Sequence, residues 1–176
     1  PKIDLNALAG KAKNGIEVLA EALVKQMKKQ DDYMLVGYSM GGIIAWQMAK
    51  ILEQNGKRVA LLLLESEPKI QNIEDILSAS EPDQLTAVKQ EMSMFIDSAD
   101  KLSLDFLQKR YMRHLQLLNK SKLFGKIDAN IIACRAIMPP HVVNVSKWSA
   151  FTNGSFEERV LQGDHYTILK PINWKT

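Results

Sequence analysis

The sequence predicts an α/β fold, a mostly parallel sheet flanked by helices and interrupted by one helical insertion. Four short segments, at 33–37, 58–64, 130–137 and 156–161, read as strands, the last of them bounded by Gly154 and Gly163. Helical stretches lie between them, at about 14–29 and 42–54, followed by a polar and helical insertion over about 69–127. In the first of these, Ile16, Leu19, Ala20, Leu23, Val24 and Met27 recur at the three-and-four spacing of one helical face. Strands that alternate with helices call for parallel pairing, because the chain must cross back over the sheet before each new strand begins.

The chain has 176 residues, 46% hydrophobic and 24% charged, enough for one core and too little for two comfortable ones. The expectation is therefore a single domain over 1–176 with the insertion as a lid. No apolar run reaches membrane-spanning length and no secretory signal is visible. The single cysteine, Cys134, excludes an internal disulfide and fits a reducing compartment, so a cytoplasmic location is expected. Cys134 sits within Ile131-Ile132-Ala133-Cys134 and reads as a buried strand residue. The chain shows neither a Cys/His cluster of metal-ligand spacing nor a glycine-rich phosphate loop, so neither a metal nor a bound cofactor is expected.

Chemistry concentrates at Gly37-Tyr38-Ser39-Met40-Gly41-Gly42, which follows an apolar run and opens an amphipathic stretch. G-x-S-x-G in strand-turn-helix context is a nucleophile elbow: the turn is so tight that side chains flanking the serine would clash, and the hydroxyl is left exposed. A serine hydroxyl is a poor nucleophile at neutral pH and needs a histidine base with a carboxylate to orient it. Of the three histidines, His114 lies in a helical stretch and His141 follows Pro139-Pro140. His165 stands in Gly163-Asp164-His165-Tyr166, on the loop leaving a late strand, where a doubly wound hydrolase carries its base. The acid follows partly by elimination. No Asp or Glu follows the 130–137 strand until Glu157, whereas the 58–64 strand ends in Glu65-Ser66-Glu67, which puts Glu65 at the carboxyl edge of the sheet.

These residues resemble the thioesterase domains of nonribosomal peptide and polyketide synthases and their free-standing relatives, all α/β-hydrolases. The likeness is carried by Tyr33 to Gly42, by Ala45-Trp46-Gln47-Met48-Ala49-Lys50 with Leu52 and Asn55-Gly56, and by Val59 to Ser66. It resumes at Cys134-Arg135-Ala136, Trp148 and Gly163 to Leu169. The resemblance implies release of an acyl or peptidyl group from the phosphopantetheine arm of a carrier protein, by hydrolysis or cyclisation through an acyl-serine. It assigns the nucleophile to Ser39, the base to His165, the acid to Glu65 in place of the usual aspartate, and one oxyanion donor to the Met40 backbone N–H. The family begins with several strands before the elbow helix, and this chain is expected to lack them and to be a poor catalyst as it stands. A small-molecule or lipid carboxylesterase, or a non-catalytic acyl- or carrier-binding fragment, are the other readings.

The insertion is charged unevenly. Glu67 to Asp100 holds eight acids and two bases, whereas Lys101 to Lys126 holds seven bases and one acid, Asp105. Paired or solvated helix faces explain such a pattern; the sharper expectation is that Lys109, Arg110 and Arg113 receive an acidic carrier protein. Nucleic acid is not expected as a partner, since the basic stretch interleaves only Tyr111 as a stacking aromatic. Met92, Met94, Phe95, Ile96, Leu102, Leu104, Phe106 and Leu107 are candidates to line an acyl pocket or to form a core.

Overall fold

In the computed structural model, residues 15–69, 73–92, 101–120, 122–138 and 143–170 are described. The chain divides into two compact units: an α/β unit, Pro1–Lys69 with Leu123–Thr176, and a helical unit, Ile70–Lys122.

The α/β unit is built on four strands, β1 (Asp32–Tyr38), β2 (Arg58–Leu64), β3 (Asn130–Ala136) and β4 (Phe156–Leu161), which lie in chain order with every neighbouring pair parallel. Parallel neighbours need a long crossover, and α2 (Met40–Gln54) supplies the one from β1 to β2. This helix ends where Gly56 takes a left-handed φ of 71°. There the Gly56 N–H donates to the Glu53 carbonyl at 2.8 Å and the Lys57 N–H to the Leu52 carbonyl at 3.0 Å, which satisfies two carbonyls of the last turn. The Asn55-Gly56 pair thus sets the distance from elbow to second strand. The helix before the sheet, α1 (Ile16–Gln26), packs on α2 through Ile16, Leu19 and Ala20 and is shorter than the 14–29 expected.

Alternation along the strands gives the sheet two unlike faces. Tyr33, Leu35, Leu61, Leu63, Ile131 and Ala133 are buried on the face toward α2. A 3₁₀ helix, Val145–Phe151, closes the same face: Trp46 of α2 donates its indole N–H to the Phe151 carbonyl at 3.0 Å, and Trp148 donates to the Ser66 carbonyl at 2.9 Å. Both indoles are fully buried, and the Phe151 ring meets each edge-on at 5.9 Å, so the large aromatics of this core have their polar atoms satisfied. On the opposite face, Met34, Ala60, Leu62, Leu64, Ile132 and Cys134 line a cleft of about 750 Å³. Met34 there is 74% exposed, on a parallel sheet of the kind that is ordinarily covered on both sides.

The helical unit contains α3 (Ile73–Ser78), α4 (Glu81–Met92) and α5 (Lys101–Asn119). Ser80 opens α4, its hydroxyl bonded to Asp83 at 2.5 Å across the first turn. Ile73, Val88, Leu115 and Leu118 are buried, and the three helices pack on one another. Phe106 is exposed, against the expectation that it lines a pocket or core. Met94, Phe95 and Ile96 of that expectation lie outside the described residues, as do the side chains of Met92, Leu102, Leu104 and Leu107.

Candidate active site

The elbow is a strained turn between β1 and α2. Ser39, between Tyr38 and Met40, has φ 50° and ψ −125°, outside the conformations ordinary residues favour. Its N–H donates to the Leu64 carbonyl at 2.9 Å and its carbonyl accepts the Gly42 N–H at 3.0 Å, so neighbouring strand and helix together hold it there. The glycines divide in a way the motif does not reveal. A Cβ at Gly37 would lie 2.5 Å from the Gly42 Cα, and one at Gly42 would lie 2.1 Å from the Ser66 Oγ. Around Gly41 there is open space, so the close approach is required at Gly37 and at the second of the paired glycines.

Glu65 leaves β2 at the level where Ser39 leaves β1, because Tyr38 and Leu64 are partners in the ladder. Its φ is 48°, and Ser39 and Glu65 are the two non-glycine residues with positive φ among the described residues. Such strain costs roughly 1–3 kcal/mol per residue and gathers at functional sites. The Glu65 carboxylate is divided between two donors. Oε1 accepts the Ala136 N–H at 2.5 Å, and Oε2 lies 3.1 Å from His165 Nδ1. Both residues are buried, Glu65 at 3% exposure and His165 at 7%, which shields the pair from water. With Nδ1 donating to the carboxylate, the neutral imidazole carries its lone pair on Nε2.

Among the described residues, His165 is bonded through Nδ1 to Glu65 and no hydrogen bond is seen between it and Ser39 Oγ; a bond of that kind commonly tightens only when substrate binds. Glu67, two residues beyond Glu65, pairs instead with Lys147 at 2.9 Å. Of the other histidines, His114 lies on α5 in the helical unit, where burial and the charges of Arg110 and Arg113 push its pKa down. His141 lies outside the described residues. Met40 is the first residue of α2, so its N–H has no acceptor within the helix and is free of the ladder for other use.

Two residues that carry no role in the sequence-based assignment hold the histidine loop. Asp164 Oδ1 accepts the Tyr166 N–H at 2.9 Å, the Thr167 N–H at 2.8 Å and the Thr167 hydroxyl at 2.8 Å. Burial pushes the Asp164 carboxyl up, but these donors outweigh it and hold the group below the usual carboxylate range. The Asp-x-x-Thr spacing is the signal that would have found this turn. Tyr38 donates its hydroxyl to the His165 carbonyl at 2.6 Å across 127 residues of chain, a contact with no local signature.

On α5, Lys109 and Arg113 line one cleft of about 720 Å³ within the helical unit, together with Glu81, Gln84, Gln108 and Met112. Arg110 is exposed and is not among the cleft's lining residues. Among the described residues, no group of three or more His, Cys, Asp or Glu side chains is placed to hold a metal ion, and no helix is long and apolar enough to cross a membrane.

Residues 3–173 match the family model described as a thioesterase domain. The chain is 26% identical over 159 residues to one of the polypeptides of the mycosubtilin synthase of Bacillus subtilis, covering 89% of this chain and 6% of that protein. It is 25% identical over 148 residues to bacitracin synthase 3 of Bacillus licheniformis, covering 84% of this chain and 2% of that one. Among solved structures it resembles the RedJ thioesterase of the prodiginine biosynthetic pathway in Streptomyces coelicolor, with a TM-score of 0.70 and 24% identity over 88% of this chain and 65% of that one. It also resembles the thioesterase domain SrfTE, described for cyclisation of the lipopeptide antibiotic surfactin, with a TM-score of 0.64 and 20% identity over 92% of this chain and 70% of that one. At these identities the structural likenesses establish the fold. The chain spans a small fraction of the synthases it matches, so the activities of those whole proteins do not transfer with the match.

Proposed function

The chain belongs to the thioesterase domain family, a family of hydrolases, and from that premise we propose that it releases an acyl or peptidyl group from the phosphopantetheine arm of a carrier protein through an acyl-serine. The single observation that supports this best is the buried Glu65–His165 pair at 3.1 Å, on the same sheet edge as the strained Ser39.

In this reading Ser39 Oγ attacks the thioester carbonyl carbon while its proton passes to His165 Nε2. Glu65 keeps the Nδ1 proton in place and stabilises the imidazolium that forms. The Met40 N–H, at the positive end of α2, donates to the oxyanion of the tetrahedral intermediate. When that intermediate collapses, the carbon–sulfur bond breaks and the pantetheine thiol leaves with the proton from His165, giving the acyl-serine. Water, or a nucleophile within the acyl chain, then attacks the ester carbonyl with His165 again taking the proton. The carbon–oxygen bond to Ser39 then breaks, His165 returns its proton to the leaving Oγ, and the product is a free acid or a ring.

The partner that brings the thioester is an acyl or peptidyl carrier protein. Its acidic surface would meet α5, where Lys109, Arg110 and Arg113 are within one turn of each other and Arg110 is exposed.

Ser39→Ala tests the central assignment. Removing the half-buried elbow hydroxyl should abolish turnover of a pantetheine-linked acyl thioester and covalent capture by a fluorophosphonate, with folding and carrier binding retained. Turnover near the wild-type rate would overturn the nucleophile assignment. Labelling of the wild-type protein by fluorophosphonate together with turnover of oxygen esters but not of carrier thioesters would move the reading to a carboxylesterase.

A further inference from the structure

We infer that Tyr38, the residue between Gly37 and Ser39, is a positioning residue that ties the elbow to the loop bearing the base. The inference rests on the roles proposed above for Ser39 and His165. Tyr38 is the last residue of β1 and is fixed by its ladder partner Leu64. The next residue begins the elbow, so the Tyr38 backbone sets where Ser39 stands. Its side chain reaches the other half of the pair: the phenol donates to the His165 carbonyl at 2.6 Å, and the ring lies against the imidazole at a centroid distance of 5.1 Å and a tilt of 37°.

Glu65 alone would leave His165 with one fixed point, the Nδ1 end of the ring. The imidazole could then pivot about that bond and carry Nε2 away from Ser39. Tyr38 fixes the residue at its main chain, and Tyr166 meets the ring edge-on at 5.2 Å. The base is thus held at carbonyl, face, edge and Nδ1. Because the carbonyl tie comes from the residue adjacent to Ser39, a shift of the elbow carries the base loop with it and the separation of nucleophile and base is preserved. That separation is what catalysis is most sensitive to, since a displacement of about 1 Å costs on the order of a hundredfold in rate.

The chemistry at position 38 is specific. It needs a donor, because the His165 carbonyl can only accept, and a rigid flat arm that fills the space beside the imidazole. Phenylalanine keeps the arm and removes the donor; leucine removes both.

The test compares Tyr38→Phe, Tyr38→Leu and Ser39→Ala in the intact polypeptide. It measures kcat and KM on a pantetheine thioester, the thermal midpoint, and the downfield proton resonance of the His165–Glu65 hydrogen bond. Tyr38→Phe should lower kcat about three- to tenfold, the worth of one hydrogen bond, with KM within about twofold of wild type. The thermal midpoint should hardly move, and the downfield resonance should broaden as the imidazole gains freedom and its proton exchanges faster. Tyr38→Leu should cost about a hundredfold in kcat. A Phe variant with wild-type kcat and an unchanged resonance would overturn the inference, whatever the Leu variant does. Turnover surviving in Ser39→Ala would instead sink the proposed function. The proton resonance reports on Tyr38 independently of turnover, so the two failures are told apart.

Discussion

The carboxyl edge of the sheet and the helical unit are built on opposite terms. At the edge, hydrogen bonds hold the site in place: Ser39 is strapped to Leu64 and Gly42 through its backbone, Glu65 serves Ala136 and His165, and Asp164 collects three donors from the next turn. In the helical unit, the prominent polar feature is a row of bases, with Lys109 and Arg110 exposed and forming no ion pair among the described residues. On the proposed function, the difference would separate two tasks. Chemistry that fails with a displacement of about 1 Å stands on strand ends locked by backbone hydrogen bonds. Recognition of a charged partner tolerates long side chains in water, because an electrostatic field needs little geometry.

The sharpest way to break that contrast is to remove charge at the edge without changing shape. Glu65→Gln should lower kcat by roughly a thousandfold or more, by analogy with amide substitutions of triad acids, with much less effect on KM. The amide presents an N–H where His165 needs an acceptor, which favours the wrong tautomer. Glu67→Gln should be far milder, because it gives up an ion pair with Lys147 rather than a contact to the base. Steady-state kinetics of the two variants decide the matter. A crippled Glu67 variant beside an active Glu65 variant would move the acid by two residues.

That prediction also shows what was legible in the sequence. The strands were, because a run such as Arg-Val-Ala-Leu-Leu-Leu-Leu at 58–64 announces a buried strand, and β2 has those bounds in the structure. The pairing of Glu65 with His165 was legible too, because both follow strands and chain order limits where the ends of a parallel sheet meet. Contacts across long sequence separations were not. Tyr38 reads as the arbitrary residue of G-x-S-x-G until its hydroxyl is seen 127 residues away on His165. Nor did the motif say which glycine matters, since Gly41 and Gly42 are adjacent in sequence and only Gly42 abuts Ser66. The openness of the second sheet face was equally hidden, because Met34 and Val36 are apolar in composition whether or not anything covers them.

A smaller effect tests whether the edge is as tightly packed as its hydrogen bonds suggest. Gly37→Ala would drive a methyl to within 2.5 Å of the Gly42 Cα and 2.7 Å of the Gly41 carbonyl, both backbone atoms that cannot rotate away. Overpacking of this kind typically costs about 1–3 kcal/mol, so the thermal midpoint should fall clearly. Gly41→Ala, with nothing in the way, should leave it nearly unchanged. Equal midpoints for the two variants would mean the elbow yields more readily than its geometry indicates.

The helical unit should respond to charge instead. Reversing Lys109, Arg110 and Arg113 to glutamate should raise KM for a carrier-bound thioester by several-fold at low salt, about the combined worth of exposed charge pairs. The effect should fade as the Debye length shortens to about 8 Å at physiological ionic strength. A small acyl-pantetheine mimic lacks the carrier's surface and should bind the variant as it binds the wild type. Equal losses on both substrates would assign these bases to the unit's own structure.

The faintest expected signal sets the two placed histidines against each other. His165 faces a carboxylate, whereas His114 stands partly buried beside Arg110 and Arg113, and burial first and those charges second push its pKa down. A depressed histidine is neutral in the fold at a pH where the unfolded chain would already be protonated. Stability from this site is therefore complete above about pH 6.5, the ordinary histidine value, where both states are neutral. It is lost as pH falls from there toward the lower folded-state value, because the unfolded state then binds the extra proton. Hydrogen exchange over α5 should accordingly speed up between about pH 7.5 and about pH 5 relative to β2, after correction for the intrinsic pH dependence of exchange. His114→Gln should remove the part of that change that belongs to the histidine. If α5 in the Gln variant loosened on acidification as much as in the wild type, the pH response of the helical unit would belong to its carboxylates instead.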